Sequence, residues 1–152
     1  AAVALQRPVC LMHMLGQPRT MQQQPEYGDV VAEVRDFLAR RVRECVSAGL
    51  PEDSIIVDPG FGFGKMPRHN IELLSNLRQL RTIGRPILVG LSRKSTLGDL
   101  TGRDVAERMP ASIAAAVIAV IKGAAIVRVH DVRETVDALR VAAAVMERDG
   151  DR

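Results

Sequence analysis

The fold prediction starts from residues 54–65, which read Ser-Ile-Ile-Val-Asp-Pro-Gly-Phe-Gly-Phe-Gly-Lys. The three β-branched residues at 55–57 predict a strand buried on both faces, as in parallel sheets. The strand ends at Asp58, and Pro59 has no backbone N–H to continue it. A carboxylate followed by a glycine-rich loop at this end of a strand is typical of small-molecule sites in α/β proteins. In the alternative, a plain turn, Asp58 only caps the backbone, but Phe61 and Phe63 beside flexible glycines favour a site.

Composition limits the class of protein. The chain has 152 residues, enough for one domain with a core, and its 47% hydrophobic residues form no long apolar run, so we expect no membrane segment. A net charge of +3 with scattered arginines suits an anionic small molecule, not nucleic acid. Cys10 and Cys45 lack metal-ligand spacing, and no secretory signal is recognisable, so we expect reduced thiols in a cytoplasmic protein.

Strands and helices are predicted to alternate along the chain. Hydrophobic periodicity and glycine or proline breaks predict strands at 8–14, 55–58, 86–91 and 125–130, a polar loop at 16–27, and helices at 28–48, 69–82, 110–122 and 132–148. Four strand–helix pairs at this spacing indicate parallel crossover units. Either a small doubly wound sheet or four of the eight units of a (β/α)₈ barrel fits, because a complete barrel needs about 250 residues.

Two of the predicted helices carry further expectations. The helix at 110–122 is apolar nearly all round, so we expect it to be largely buried, against the sheet or a partner chain. In the last helix we expect Thr135, Leu139 and Val145 to point inward. Residues 101–109 are charged and irregular, which predicts a loop with a helical turn.

The candidate polar groups all follow the ends of predicted strands, so parallel strands would bring them to one rim. They are His13 and Met14, Asp58, Ser92, Arg93 and Lys94, and Arg128 and His130. A buried carboxylate can accept hydrogen bonds from adjacent ring and amino N–H groups of a heterocycle, and lysine or arginine can bind carbonyl or phosphate oxygens. Arg128 within an apolar strand would need an anionic partner. In the alternative interpretations, residues 92–95 only begin a solvated helix, and His13 is structural.

Four motifs together resemble bacterial dihydropteroate synthases: Leu-Met-His-Met-Leu-Gly-Gln-Pro-Arg-Thr-Met-Gln (11–22), Asp-Pro-Gly-Phe-Gly-Phe-Gly-Lys (58–65), Gly-Leu-Ser-Arg-Lys-Ser (90–95) and Arg-Val-His-Asp (128–131). The resemblance covers essentially the whole chain but only the carboxyl-terminal half of that family's barrel. It implies a (β/α)₈ TIM barrel of which residues 1–152 supply about four units, strands five to eight. The family's opening segments, with a pterin carboxylate, an asparagine and mobile loops, have no counterpart in these residues.

The resemblance also implies a function. The family is a transferase of folate biosynthesis that joins para-aminobenzoate to 6-hydroxymethyl-7,8-dihydropterin pyrophosphate and releases pyrophosphate. By this likeness Asp58 and Lys94 bind the pterin, and Arg128 stacks on the pterin and, with His130, holds the pyrophosphate. Lys94, Arg128 and His130 are the catalytic residues. Met12 and Gly90 would line the pterin slot, and Gly62, Phe63, Ser92 and Arg93 the aminobenzoate side that sulfonamides imitate. The ligand of Mg²⁺ would lie in the family's amino-terminal half, and the enzyme would be a homodimer through its last helices, with 110–122 as the candidate surface.

A half barrel has two open edges and uncovered inward side chains, which favour aggregation. We therefore expect this chain to be part of a longer enzyme or to be completed by a second chain, and to be inactive alone. The alternative is a non-catalytic pterin-binding half barrel that self-associates. Other pterin-binding barrels, such as folate-dependent methyltransferases, have no evident use for the cluster at 92–94.

Overall fold

The structure of the protein, a computed structural model, describes residue 4 and residues 7–16 and 25–150, with side chains as far as residue 147. Most of the predicted polar loop at 16–27 lies outside these residues. The strands are β1 (Val9–Met12), β2 (Ile55–Asp58), β3 (Leu88–Val89) and β4 (Ile126–Val127). The helices are α1 (Val30–Ser47), α2 (Pro67–Ser75), α3 (Ser95–Thr101), α4 (Met109–Ile121) and α5 (Val132–Gly150), with 3₁₀ turns at Glu52–Ser54, Leu77–Ile83 and Val105–Glu107.

The described strands are all parallel and follow one another in chain order. β1 pairs with β2, a bridge between Val57 and Ile87 joins β2 to the start of β3, and β3 pairs with β4. A doubly wound sheet reverses its strand order at a switch point, whereas a barrel adds each strand beside the previous one. The order β1-β2-β3-β4 therefore decides between the two predicted architectures in favour of barrel units.

The two faces of this sheet differ in burial. Register partners lie on the same face, and successive residues alternate between faces. Val57 and Ile87 face the helices and are 0% and 1% exposed. Cys10 and its partner Ile56 lie on the opposite, concave face, where Cys10 is exposed and Ile56 is half-buried. The core therefore lies between the sheet and its helices, and the concave face is uncovered.

A local signal sets the start of α1, and one predicted helix is divided. Asp29 caps α1 because its Oδ1 accepts hydrogen bonds from the backbone N–H groups of Val31 and Ala32. The helix predicted at 69–82 is instead α2 followed by the 3₁₀ turn at Leu77–Ile83. At the break, the Asn76 side chain donates to the backbone carbonyl of Glu72 at 3.0 Å, a bond that competes with helical hydrogen bonding.

Three further expectations need correction. Helix α3 (Ser95–Thr101) lies where we predicted no helix, whereas the loop predicted at 101–109 does contain a helical turn, the 3₁₀ turn Val105–Glu107. In α4, Ala115, Ala116 and Ala119 face the core, because small side chains allow close approach, while Ile118 and Ile121 are each 41% exposed. In α5, Thr135 is buried as predicted, but Val145 is 58% exposed. None of the helices that the structure describes is apolar over a length sufficient to cross a membrane.

Candidate active site

Asp58 lies at the carboxyl end of β2, and its two oxygens have different surroundings. The side chain is nearly fully buried, and Oδ1 accepts a hydrogen bond from the backbone N–H of Gly60 at 2.7 Å. Oδ2 lies 3.8 Å from Nη2 of Arg128, beyond hydrogen-bonding distance. Asp58 therefore does cap the turn, as the plain-turn interpretation holds, but one oxygen remains directed at the cationic side of the rim.

The glycine loop, residues 60–64, packs its backbone against the segment after β1. Gly60 has a φ of 70°, and a Cβ there would lie 1.9 Å from the carbonyl oxygen of His13. Gly64 has a φ of 62°, and its Cβ would lie 2.6 Å from the carbonyl oxygen of Leu15. A side chain at either position would require backbone movement, so the glycines are needed for both φ and space.

Lys94 joins the loop after β3 to the glycine loop. Its Nζ donates to the carbonyl of Phe61 and lies 4.4 Å from the centroid of the Phe63 ring, a cation–π contact. A Cβ on Gly62 would lie 3.2 Å from Cδ of Lys94, so the glycine leaves room for the lysine stem. The ammonium thus lies close enough to the buried carboxylate of Asp58 for the two charges to interact.

Arg128 and His130 follow β4 and form the exposed side of the rim. Arg128 crosses Gly90, where a Cβ would lie 3.0 Å from Nη2. The side chain of Arg128 is 61% exposed, so our expectation of a buried arginine inside β4 is wrong: the strand ends at Val127. His130 is placed by Ser92, whose Oγ lies 2.9 Å from Nδ1 and accepts the backbone N–H of His130 at 3.2 Å.

Arg93 is held in an uncommon conformation. Its φ of 57° is left-handed, and Ser112 Oγ accepts its backbone N–H at 2.9 Å. The guanidinium donates to both carboxylate oxygens of Asp131, at 2.6 Å and 3.2 Å. This bidentate pair occupies the fork of Arg93, so any contact with a substrate would have to use its remaining N–H groups.

The predicted residues surround a common opening. A cavity of about 210 Å³ is lined by Gly90, Ser92, Lys94, Arg128, Val129 and His130. Phe63 and Gly62 reach it through Lys94, and Met12 is the register partner of Asp58. The structure thus brings Gly90, Ser92, Lys94, Arg128 and His130 to one cavity beside Asp58, whereas His13, which the sequence also placed on the rim, is buried against Lys65 outside the cavity lining.

Burial shifts the ionisation of the two central groups in opposite directions. It raises the pKa of Asp58, against the lowering effects of the Gly60 N–H, Arg128, Lys94 and Lys65. It lowers the pKa of Lys94, with Asp58 opposing and Arg128 adding to the shift. Burial without full hydrogen bonding destabilises both the carboxylate and the ammonium, so a ligand that hydrogen-bonds to them is bound favourably.

Sequence reasoning missed the residues that support the glycine loop. Lys65 is buried and donates to the carbonyls of Gly60 and Phe63 at 3.0 Å and 3.2 Å. Asn70 accepts the backbone N–H of Gly62 at 2.9 Å, and Tyr27 donates to the carbonyl of Gly64 at 2.7 Å. The one available signal was a lysine directly after a glycine-rich loop, where free carbonyls need donors.

The residues that the structure describes contain no set of side chains suited to bind magnesium. Among residues 7–16 and 25–147, no three histidine, cysteine, aspartate or glutamate side chains lie close enough to hold a metal ion. The donors at the rim are mostly cationic, which suits anionic ligands and not a divalent cation.

Fold and site define the class of protein: parallel barrel units with a small-molecule site at the carboxyl ends of the strands. Residues 1–130 match the model of the family described as pterin binding enzyme, and the chain belongs to that family. It is 54% identical over 140 residues to dihydropteroate synthase of Haemophilus influenzae, an alignment that covers 92% of this chain and 51% of the relative.

Solved structures agree with the fold. The dihydropteroate synthase of Yersinia pestis, solved with a sulfonamide drug complex, superposes with a TM-score of 0.93 at 44% identity and covers 96% of this chain and 53% of that one. The enzyme of Xanthomonas albilineans in complex with 7,8-dihydropteroate has a TM-score of 0.88 at 45% identity, with 95% and 53% covered. The chain thus supplies about half of a TIM barrel and spans about half the length of these relatives. Because the relatives are enzymes, the comparison does not favour the non-catalytic alternative.

Proposed function

We propose that this chain is the carboxyl-terminal half, strands five to eight, of a dihydropteroate synthase. The enzyme joins para-aminobenzoate to 6-hydroxymethyl-7,8-dihydropterin pyrophosphate, giving dihydropteroate and pyrophosphate. The observation that carries the proposal is the position of the buried Asp58 carboxylate. It lies 3.8 Å from Arg128, interacts electrostatically with Lys94, and so adjoins the cavity that both cationic side chains line.

The pterin is the ligand that Asp58 suits best. Its Oδ2 can accept hydrogen bonds from the ring N–H and amino group, because Oδ1 already holds Gly60. Lys94 donates to the pterin carbonyl and ring side, while Met12 and Gly90 line the slot. Gly90 has no side chain, so the Arg128 guanidinium can lie flat across it and stack on the pterin ring.

The pyrophosphate lies against the exposed side chains of Arg128 and His130. Arg128 and His130 stabilise the charge that develops as the methylene C–O bond breaks and its electron pair moves to the leaving oxygen. The amine of para-aminobenzoate then bonds to the methylene carbon and releases a proton to solvent. No protein nucleophile is needed, since the residues supply fixed charge on both sides of the breaking bond.

The aminobenzoate approaches along Gly62, Phe63, Ser92 and Arg93. Phe63 offers an aromatic face that Lys94 already covers in part, and Ser92 is fixed by His130. The same side is the proposed sulfonamide site, in keeping with the drug complex of the Yersinia pestis enzyme.

Three further assignments follow from the resemblance. Magnesium would be held mainly by the other half of the barrel and would help to neutralise the pyrophosphate. The protein would be a cytoplasmic homodimer through α4 and α5, whose exposed Ile118 and Ile121 offer apolar surface. Sedimentation of the completed enzyme tests the dimer: a monomer at all concentrations would contradict it.

The decisive experiment completes the barrel. In a chimera, this chain replaces the matching segment of the Haemophilus influenzae enzyme, and turnover of para-aminobenzoate with the pterin pyrophosphate is measured. We expect turnover, and we expect Asp58→Asn to lower it by about 10²–10³-fold while weakening pterin binding in calorimetry. Asp53→Asn, at an exposed carboxylate of similar sequence position, is the matched control. An inactive but folded chimera, or equal pterin affinity for Asp58→Asn, contradicts the assignment.

A further inference from the structure

The strongest unassigned feature is the buried pair Lys65 and His13, whose side-chain nitrogens Nζ and Nδ1 lie 2.9 Å apart. The two residues are 3% and 5% exposed and come from segments 52 residues apart. Lys65 also donates to the carbonyls of Gly60 and Phe63, so a single amine links both sides of the glycine loop to the segment after β1. Neither residue contacts the cavity that holds the proposed substrates.

Lys65 in its charged form uses all its donors. An ammonium has three N–H groups, and the structure offers three acceptors: two carbonyls and Nδ1 of His13. Nδ1 must then be unprotonated, so the neutral imidazole carries its proton on Nε2. This agrees with His13, where burial and the charge of Lys65 lower the pKa to about 4.

Lys65 in its neutral form is equally satisfied. Burial lowers the pKa of Lys65 to about 7, with Lys94 adding to the shift and Asp58 opposing it. A neutral amine has two N–H groups for the two carbonyls and one lone pair, which can accept a hydrogen bond from Nδ1–H of His13. One proton leaves Lys65 for solvent, and the imidazole keeps its single proton but moves it from Nε2 to Nδ1.

We propose that Lys65 and His13 are positioning residues whose shared hydrogen bond fixes the glycine loop and persists on either side of the lysine titration, because the imidazole exchanges tautomers. The loop in turn supplies the Phe61 carbonyl and the Phe63 ring that hold Lys94. We call the hydrogen bonds of Lys65 to His13, Gly60 and Phe63 the clamp. Its effect on substrate binding rests on the proposed function, whereas the clamp itself does not.

The neighbouring charges do not replace this pair. The titratable groups that face it are Asp58 from β2, Lys94 from the loop after β3, His69 from α2 and Tyr27 from the segment before α1. Burial raises the pKa of Tyr27 to about 12, so it stays neutral through the range concerned. The clamp fails only at acid pH, where His13 and Lys65 are both protonated and their N–H groups face each other.

The sequence makes the direct test simple, because the chain has three histidines and three lysines, the latter at 65, 94 and 122. This half of the chimera, labelled with ¹⁵N-histidine and ¹³Cε-lysine and ligated to the unlabelled amino-terminal half, is titrated from acid to alkaline pH by NMR. We expect Lys65 to titrate near neutral pH and the two ring nitrogens of His13 to exchange their shifts with the same midpoint. Titration of Lys65 at the ordinary lysine value, or one unchanged His13 tautomer throughout, would overturn the proposal.

Two variants separate positioning from general stability. Lys65→Met removes the donors, and His13→Phe keeps an aromatic ring against Phe37, now 4.9 Å between ring centroids, but removes Nδ1. Both should shift the amide signals of Gly60 and Phe63 and move the Lys94 titration. The control Lys122→Met loses only a surface bond to the Ser75 carbonyl and should change neither. Unshifted loop signals in a folded His13→Phe chain would contradict the clamp.

The link to function is measured in the chimera. Lys65→Met and His13→Phe should each weaken pterin binding by about tenfold, and Lys122→Met should not. If the unmutated chimera fails to bind pterin, the proposed function fails while the NMR result stands. If it binds but both variants bind equally well, the positioning role fails.

Discussion

The loop after β2 and the residues after β4 lie on the same rim but are built differently. Residues 60–65 are tied down from several sides, with buried donors and acceptors that satisfy one another. Arg128 and His130 are exposed, and Arg128 meets Asp58 only at 3.8 Å. The first region is preorganised before any ligand binds, whereas the second has donors that a ligand can recruit.

This difference matches the chemistry proposed for each region. Recognition of a rigid planar heterocycle is best served by groups that are already fixed, because they lose little entropy on binding. A charged leaving group must also depart, so it suits side chains in contact with solvent. The comparison therefore predicts that substitutions in the loop change stability, while substitutions after β4 change binding.

The largest effect is expected from Gly60→Ala. The new Cβ would lie 1.9 Å from a backbone oxygen at a φ of 70°, so we expect a loss of more than about 3 kcal/mol in the free energy of unfolding. Gly84→Ala is the matched control, because its φ is 75° but nothing lies within 4 Å, and it should cost about 1–2 kcal/mol. Urea denaturation measures both, and equal losses would show that the loop is not sterically constrained.

Arg128→Met should show the opposite pattern. We expect the free energy of unfolding to change by less than about 0.5 kcal/mol, as is usual at exposed positions. The affinity of the completed enzyme for pyrophosphate should fall by about tenfold or more, because a charged hydrogen-bond donor is lost. Arg133→Met, an exposed change on α5, serves as the control in the same calorimetric titration. Unaltered pyrophosphate affinity would remove Arg128 from the anion site.

Asp58→Asn should raise stability slightly while it weakens binding. Folding raises the pKa of Asp58, so as pH falls the folded protein takes up a proton at this residue before the unfolded protein does. Between the ordinary and the raised pKa the carboxylate therefore lowers stability as pH rises, and the full cost is present above that window. At neutral pH the neutral isostere should gain about 1 kcal/mol or less, and thermal unfolding should show this gain shrinking at acid pH. A less stable variant at neutral pH would contradict this sign.

The smallest effect concerns Arg93. Both Arg93→Gly and Arg93→Ala lose the pair with Asp131, but only glycine adopts a φ of 57° without strain. The glycine variant should therefore melt slightly above the alanine variant in calorimetry. The reverse order would mean that the left-handed conformation is not retained in solution.

Much of the site could be predicted because parallel strands bring their carboxyl ends to one rim. Asp58, Lys94 and Arg128 each follow a predicted strand, and their proximity required only the correct strand direction. Burial was harder to predict. A helix apolar on all sides, as at 110–122, does not show which side meets the core, and the strand after 125 is shorter than its apolar residues suggest.

By itself the sequence determined the alternation of strands and helices, the family, and the strand ends that carry Asp58, Lys94 and Arg128, since these depend on local periodicity and short motifs. Only the tertiary structure decided the strand order, the uncovered concave face and the partners of Lys65 and Arg93. The physical reason is distance along the chain: His13 and Lys65 are 52 residues apart, Arg93 and Asp131 are 38 apart, and no local pattern encodes which distant groups meet.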